Sequence, residues 1–242
     1  MKKILLLLMF LSLMVSPAHA FTETFFGEDF NPDPDPNNLH SHVLDLVNAD
    51  LAHDRFFSYL NGVGTENFEF FAAGLVTSLQ ADFGVAGVAN IVGGGNSAIN
   101  NFDGLGRFAV SGNKYFETNA TATGTFTISF THPIAAFGFY GTDIGDLNGQ
   151  LTVTLSGGSA NSYNISNAAA VLSGSALYWA IIDTDNPFTS ITFKNTASGG
   201  DTFGFDDFSI GTVSQVRDTP VPLPSSLLFL TTGMLFLIRR KK

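Results

Sequence analysis

From Leu39 to Leu60 the apolar residues Leu39, Val43, Leu46, Val47, Leu51, Phe57 and Leu60 recur mostly at three- and four-residue steps, the spacing of one buried helical face. Asn37 or Asn38 can cap the start of this helix, and Gly62 and Gly64 end it. After Thr65 the period shortens. Runs rich in β-branched and aromatic residues, separated by Gly, Asn and Asp, predict strands over 66–71, 86–92, 107–111, 126–131, 135–142, 150–156, 162–165, 179–183, 190–195 and 204–211. Several alternate strictly, as at Phe126, Ile128 and Phe130, so one face is apolar and the other polar. So many strands with no helical pattern between them read as an antiparallel, jelly-roll-like β-sandwich preceded by one helix. Phenylalanine, 25 of 242 residues, is the expected core filler. Trp179, beside Tyr178, leaves two readings open, a buried ring and an exposed platform for a sugar.

Two further apolar runs lie at the ends. Lys2 and Lys3 precede Ile4–Val15, and Ala18 and Ala20 are small residues at the two positions a signal peptidase reads, so residues 1–20 are expected to be removed and the mature chain to begin at Phe21. At the other end Val221-Pro222-Leu223-Pro224 is followed by an apolar run, Leu227–Ile238, and by Arg239, Arg240, Lys241 and Lys242. The two prolines hold the chain extended, so a helix can start only after them, with Ser225 or Ser226 as its cap. Residues 225–238 would then span roughly 21 Å at about 1.5 Å per residue, a marginal crossing of a ~30 Å hydrocarbon core. The basic cluster would remain cytoplasmic and the body would lie on the opposite side.

This C-terminal sequence resembles the PEP-CTERM sorting signal, in its Val-Pro-Leu-Pro variant, of Gram-negative bacteria that make extracellular polysaccharide; Leu223 stands where the commonest form has glutamate. The resemblance implies an exosortase, a membrane-embedded cysteine peptidase, as partner, an inner-membrane intermediate, and a final place at the cell surface or in the extracellular matrix or biofilm. A plain C-terminal membrane anchor is the alternative. The run Ile134–Asp146 continuing into Gly149–Val153, with Thr65–Glu69 and Gly204–Ile210, is similar to uncharacterised exported proteins of that family, which extends the likeness over Leu39–Lys242 and implies no activity. More distantly, an early Asn-Phe-Glu strand with a late Asp-Asp strand is similar to carbohydrate-binding jelly rolls, in which those strands lie together and hold a structural calcium.

Charge narrows the partners. Between Phe21 and Asp218 there are 21 acidic residues and five basic ones (Arg55, Arg107, Lys114, Lys194, Arg217), a net charge of −16. Nucleic acid is excluded as a partner, because phosphate binding needs a basic surface. With no cysteine there are no disulfides, thiolate metal sites or cysteine nucleophiles. The expected organisation is a signal peptide (1–20), a flexible Pro/Asp-rich leader (21–37), a helix packed on the sandwich (38–64), the sandwich (65–213), a linker (214–220) and the sorting signal (221–242).

Glu69, Asp206 and Asp207 are the candidate calcium ligands, with Asp201 as a further one, because first and last strands meeting at a sheet edge could offer the six to eight oxygens calcium takes. Against this, successive Asp206 and Asp207 should point to opposite faces of a strand, leaving one in solvent. Asp143 and Asp146 read as turn residues. The mature histidines are His40, His42, His53 and His132; His40 and His42 fall on different sides of a helix rather than on one metal-binding face, which reads as a solvated helix face. No nucleophile elbow or zinc motif occurs, and Gly93-Gly94-Gly95 lacks the Lys-Ser/Thr of a phosphate loop. The expectation is a non-enzymatic, structural or adhesive exported protein. Glycan binding to extracellular polysaccharide is the alternative, and a glycosidase comes after it.

Overall fold

The computed structural model describes residues 21–35, 38, 40–120, 126–144, 151–157, 160–165, 173–196 and 201–217. The signal-peptide residues, including Ala18 and Ala20, Asp146 and the whole sorting signal lie outside them. Among the described residues no helix is long and apolar enough to cross a membrane.

These residues form an antiparallel β-sandwich. One sheet contains β1 (Thr22–Asp29), β12 (Ala176–Asp183), β9 (Ala136–Thr142), β14 (Asp201–Gly211), β7 (Tyr115–Ala120), β6 (Ala98–Asn100) and β3 (Gly74–Leu75) in that order. β2 (Gly64–Glu66) pairs with Phe208–Ile210 near the end of β14. The other sheet runs β11 (Ala160–Asn164), β10 (Leu151–Gly157), β13 (Phe188–Asn195), β8 (Phe126–Ile134), β5 (Val88–Val92) and β4 (Ser78–Asp82). A helix, α1 (Val47–Ser58), lies on the outer face of the first sheet.

Aromatic rings fill the space between the sheets. Phe126 and Phe193, register partners on β8 and β13, stack at 4.0 Å, and Phe205 and Phe139 meet Phe193 edge-on at 5.7 and 5.5 Å. Such pairs add about 0.5–1.5 kcal/mol each to the burial of their area. Trp179 belongs to this core, 3% exposed and tilted against Phe139, so of its two readings the buried one holds.

Every residue of β9 and β12 is buried. Phe137, Phe139, Leu177, Trp179 and Ile181 face the inter-sheet core, whereas Ala136, Tyr140, Tyr178, Ala180 and Ile182 lie under α1 with Phe25, Phe56 and Leu60. A strand covered on both sides has no reason to alternate, which explains the unbroken apolar runs. Gly138 belongs to the same arrangement: a Cβ there would strike the Tyr178 hydroxyl and come within 2.9 Å of the Ala180 Cβ, so the helix could not settle as closely.

Four expectations change. Part of the expected leader, Thr22–Asp29, is a full edge strand paired along its length with β12. The helix begins at Val47, and its buried face is Ala49, Ala52 and Phe56, with Val47 and Leu51 exposed. Residues 41–46 are held instead as irregular chain, with the Val43 N–H donating to the Gly174 carbonyl at 2.8 Å. The strand expected over 66–71 ends at Glu66, where the Phe68 N–H turns back to the Glu66 carboxylate at 2.6 Å and Phe68 takes a φ of 61°. Residues 107–111 form no extended strand and belong to a long loop on the outer face of the first sheet.

Candidate functional site

The three carboxylates singled out as calcium ligands each bind the loop Val110–Lys114, Asp206 and Asp207 at its start and Glu69 at its end. Asp206 Oδ2 accepts the Val110 and Ser111 N–H groups at 2.9 Å each, and its Oδ1 accepts the Asp207 N–H at 2.8 Å. Asp207 Oδ1 accepts the Ser111 hydroxyl at 2.9 Å. Glu69 Oε1 accepts the Asn113 and Lys114 N–H groups at 2.7 and 2.6 Å, and Lys114 Nζ reaches back to the Glu69 and Phe71 carbonyls.

The alternation that should send Asp206 and Asp207 to opposite faces is broken by a β-bulge. The register of β14 against β9 shifts between Asp206 and Ser209, and Asp207 sits at a φ of 49°, so both side chains reach the same loop. The arrangement is a clasp: carboxylates satisfy the backbone donors of a loop that has no strand partner. Asp206 Oδ1 and Oδ2, Asp207 Oδ1 and Glu69 Oε1 thus face N–H and O–H donors, and among the described residues no group of three or more acidic or histidine side chains is placed to hold a metal. Asp201 opens β14, on the β7 side.

Burial makes the clasp sensitive to protons. Desolvation, then the neighbouring Asp207 charge, pushes the Asp206 carboxyl up to about 8, against the lowering effect of its three N–H partners. Asp207 is also raised by burial, and the Ser111 hydroxyl and the His53 charge offset part of the shift. Asp143 is more than a turn residue: at a φ of 61° and 4% exposure it accepts Arg107 Nη1 at 3.2 Å, while Arg107 Nε donates to Glu117 at 2.8 Å. His42 stacks on Phe108 at 4.2 Å, and His53 lies against Phe57, Tyr140 and Tyr178. These histidines therefore pack against aromatic rings.

A concave site lies elsewhere, along the edge of the first sheet. β1 lies at one end of that sheet's strand order, and α1 runs beside it. Asn48, Leu51, Ala52 and Arg55, one face of α1, stand opposite Phe26, Gly27, Glu28 and Phe30. The groove between them has a volume of about 320 Å³, at the lower end of clefts that take small ligands. Phe26 and Phe30 expose 40% and 50% of their surface, and Leu51 exposes 54%.

The helix is fixed to this edge from the strand side. Asp29, at the end of β1, accepts the Asn48 N–H at 3.0 Å and the Ala49 N–H at 2.8 Å, and thereby caps a helix whose own cap position, Leu46, offers no side-chain acceptor. Gly27 lets α1 approach, because a Cβ there would strike the Asn48 carbonyl. The sequence pattern did not single out Phe26 or Phe30; the available signal was the alternation of Phe25, Gly27 and Asp29 with Phe26 and Glu28 ahead of the first proline.

The outer face of the second sheet is different in character. Register aligns Thr127, Thr192, Thr154 and Ser162 in one row across β8, β13, β10 and β11, and Asn90, Ser129, Ser190 and Ser156 in the next. These rows are neutral hydroxyls and amides, and Lys194 and Asp82 share the same face.

No protein-family model matches the chain, and no curated protein does. Among solved structures, the K2 cleaved adhesin domain of Lys-gingipain overlaps 62% of this chain and 98% of its own, at 13% identity and a TM-score of 0.36. A family 29 carbohydrate-binding module overlaps 65% and 96%, at 15% identity and a TM-score of 0.33. The family 11 carbohydrate-binding module from Clostridium thermocellum overlaps 62% and 96%, at 12% identity and a TM-score of 0.31. Overlap at this level is distant and leaves function to be read from this chain's own residues.

Proposed function

We propose that this chain is an exported, non-catalytic β-sandwich protein that binds extracellular polysaccharide in the groove between β1 and α1. Its route is that of a PEP-CTERM-type protein: signal-peptide removal, insertion of the tail in the inner membrane, processing by an exosortase-type peptidase, and delivery to the cell surface or matrix. The groove is the observation that carries the reading. Half-exposed phenylalanine rings supply flat apolar faces for the C–H side of a sugar, and the Glu28 carboxylate, Asn48 amide and Arg55 guanidinium beside them suit hydroxyls. Locally one acid stands against one base, which favours a neutral polymer even though the body carries −16.

Hydrolysis needs two carboxylates about 5 to 9.5 Å apart across the bond, and Glu28 is the single carboxylate among the residues lining this groove. A structural or adhesive role is the second reading, supported by the neutral hydroxyl rows of the second sheet.

Affinity electrophoresis through gels containing mixed-linkage β-glucan, galactan or alginate tests the proposal. Retardation is expected in a neutral polymer. Phe26→Ala and Phe30→Ala should each weaken it roughly five-fold, for a ring contribution of about 1 kcal/mol. Phe70→Ala, at an exposed ring outside the groove lining, should leave it unchanged. Equal retardation of the wild type and both groove variants would contradict the assignment.

A further inference from the structure

Both ends of the folded body meet at Tyr59. The Phe21 ring lies 5.8 Å from the Tyr59 ring, and the Phe21 N–H and carbonyl are tied to Thr184 in the turn after β12. From the other end, the Arg217 N–H donates to the Tyr59 carbonyl at 2.8 Å, Arg217 Nη2 donates to Asn61 at 3.2 Å, and Val216 bridges to Leu60. The chain therefore enters and leaves the sandwich at one end.

That end also carries exposed apolar tips. Val85, 87% exposed, sits in the short 3₁₀ turn Gly84–Ala86 that packs on β2, and Val213, 42% exposed, begins the turn after β14. Two of the body's five basic residues, Arg55 and Arg217, lie at this end, with Glu23, Asp82, Asp183 and Asp185. Beyond Arg217 only seven residues, Asp218–Pro224, precede the expected span at Ser225, a tether of at most about 25 Å at full extension.

We propose that this end of the sandwich, around Phe21, Tyr59, Asn61, Val85, Val213 and Arg217, is the surface that faces a lipid bilayer when the tail is inserted. The inference rests on the reading of residues 225–238 as a membrane span. The short tether leaves the body at this end, so this end and its apolar tips, Val85 and Val213, are what it brings to the surface. β1 then points away from the membrane. At about 3.4 Å per residue its course from Phe21 carries Phe30 roughly 30 Å outward, so the groove opens toward the extracellular side.

The absence of cysteine makes the test direct, because each introduced thiol is unique. Asn61→Cys and Val85→Cys place a fluorophore at the proposed lipid-facing end, and Asn164→Cys places one at the end of β11, on the far side of the sandwich. The full chain is reconstituted in vesicles of phosphatidylcholine and phosphatidylglycerol containing a headgroup-nitroxide lipid, and flotation is scored alongside quenching. The proposal expects flotation, with quenching at positions 61 and 85 several-fold greater than at 164. Flotation with equal quenching at all three positions overturns the orientation alone. Failure to float overturns the membrane-span reading and the orientation with it.

Discussion

Asp206 shows how far a single side chain departs from what its sequence neighbourhood suggests. Its motif, Gly204-Phe205-Asp206-Asp207-Phe208, marks it as a polar residue in an apolar strand, and Glu69 stands out in the same way beside Phe68 and Phe70. That these carboxylates stand apart from their apolar neighbours was legible. What they hold was not, because the N–H donors come from Val110–Lys114, a loop with no periodic signal, and because a bulge at Asp207 overrides strand alternation. The burial of Asp206 has a consequence that can be measured. Its carboxyl titrates at about 8 in the folded chain and near 3.8 when exposed, so the folded state holds a proton that the unfolded state releases. The stabilising contribution is complete below pH 3.8 and is lost as pH rises through about 8. Asp206→Asn should flatten the fall in melting temperature over that interval, with each kcal/mol worth about 2–4 °C in a domain of this size. An unchanged slope in thermal melts would show that Asp206 is ionised throughout.

At the scale of elements, β8, β9, β10, β12, β13 and β14 were legible within a few residues, because alternation or a continuous apolar run marks each of them. The helix was legible as an element and misjudged in its length and face. Leu39, Val43 and Leu46 continue the helical spacing, but contact with Gly174 holds Val43 in irregular chain, and the cap comes from Asp29, nearly twenty residues away in another element. β1 was hidden by the prolines that follow it, and β3 and β6 are too short, at two and three residues, to carry a pattern. Asp29 couples the helix to the candidate groove. Asp29→Ala should cost about 1–2 kcal/mol by leaving the Asn48 and Ala49 donors without their acceptor, and it should weaken polysaccharide retardation by loosening the groove wall. Circular dichroism melts and the gel assay read the two effects separately. Full stability in the variant would remove Asp29 as the cap.

For the whole molecule, the sequence expectation of an antiparallel sandwich agrees with the structure, and the groove is the part that sequence alone concealed, since it exists only where β1 and α1 come side by side. The carboxylate clasp makes one global prediction. Glu69, Asp206 and Asp207 are occupied by N–H and O–H donors, so the melting temperature should be the same in millimolar calcium and in chelator at matched ionic strength. A rise of several degrees with calcium would restore the cage, since a ligand at a hundredfold its dissociation constant adds about 2.7 kcal/mol. The central claim, that the β1/α1 groove is the binding surface, is tested most directly by recording backbone amide NMR signals of the body during titration with the polysaccharide that retards it. The account predicts that changes concentrate at Phe26, Glu28, Phe30, Asn48, Leu51 and Arg55. Changes centred instead on Thr127, Thr154 and Thr192, with the groove signals unmoved, would place binding on the hydroxyl face of the second sheet and contradict it.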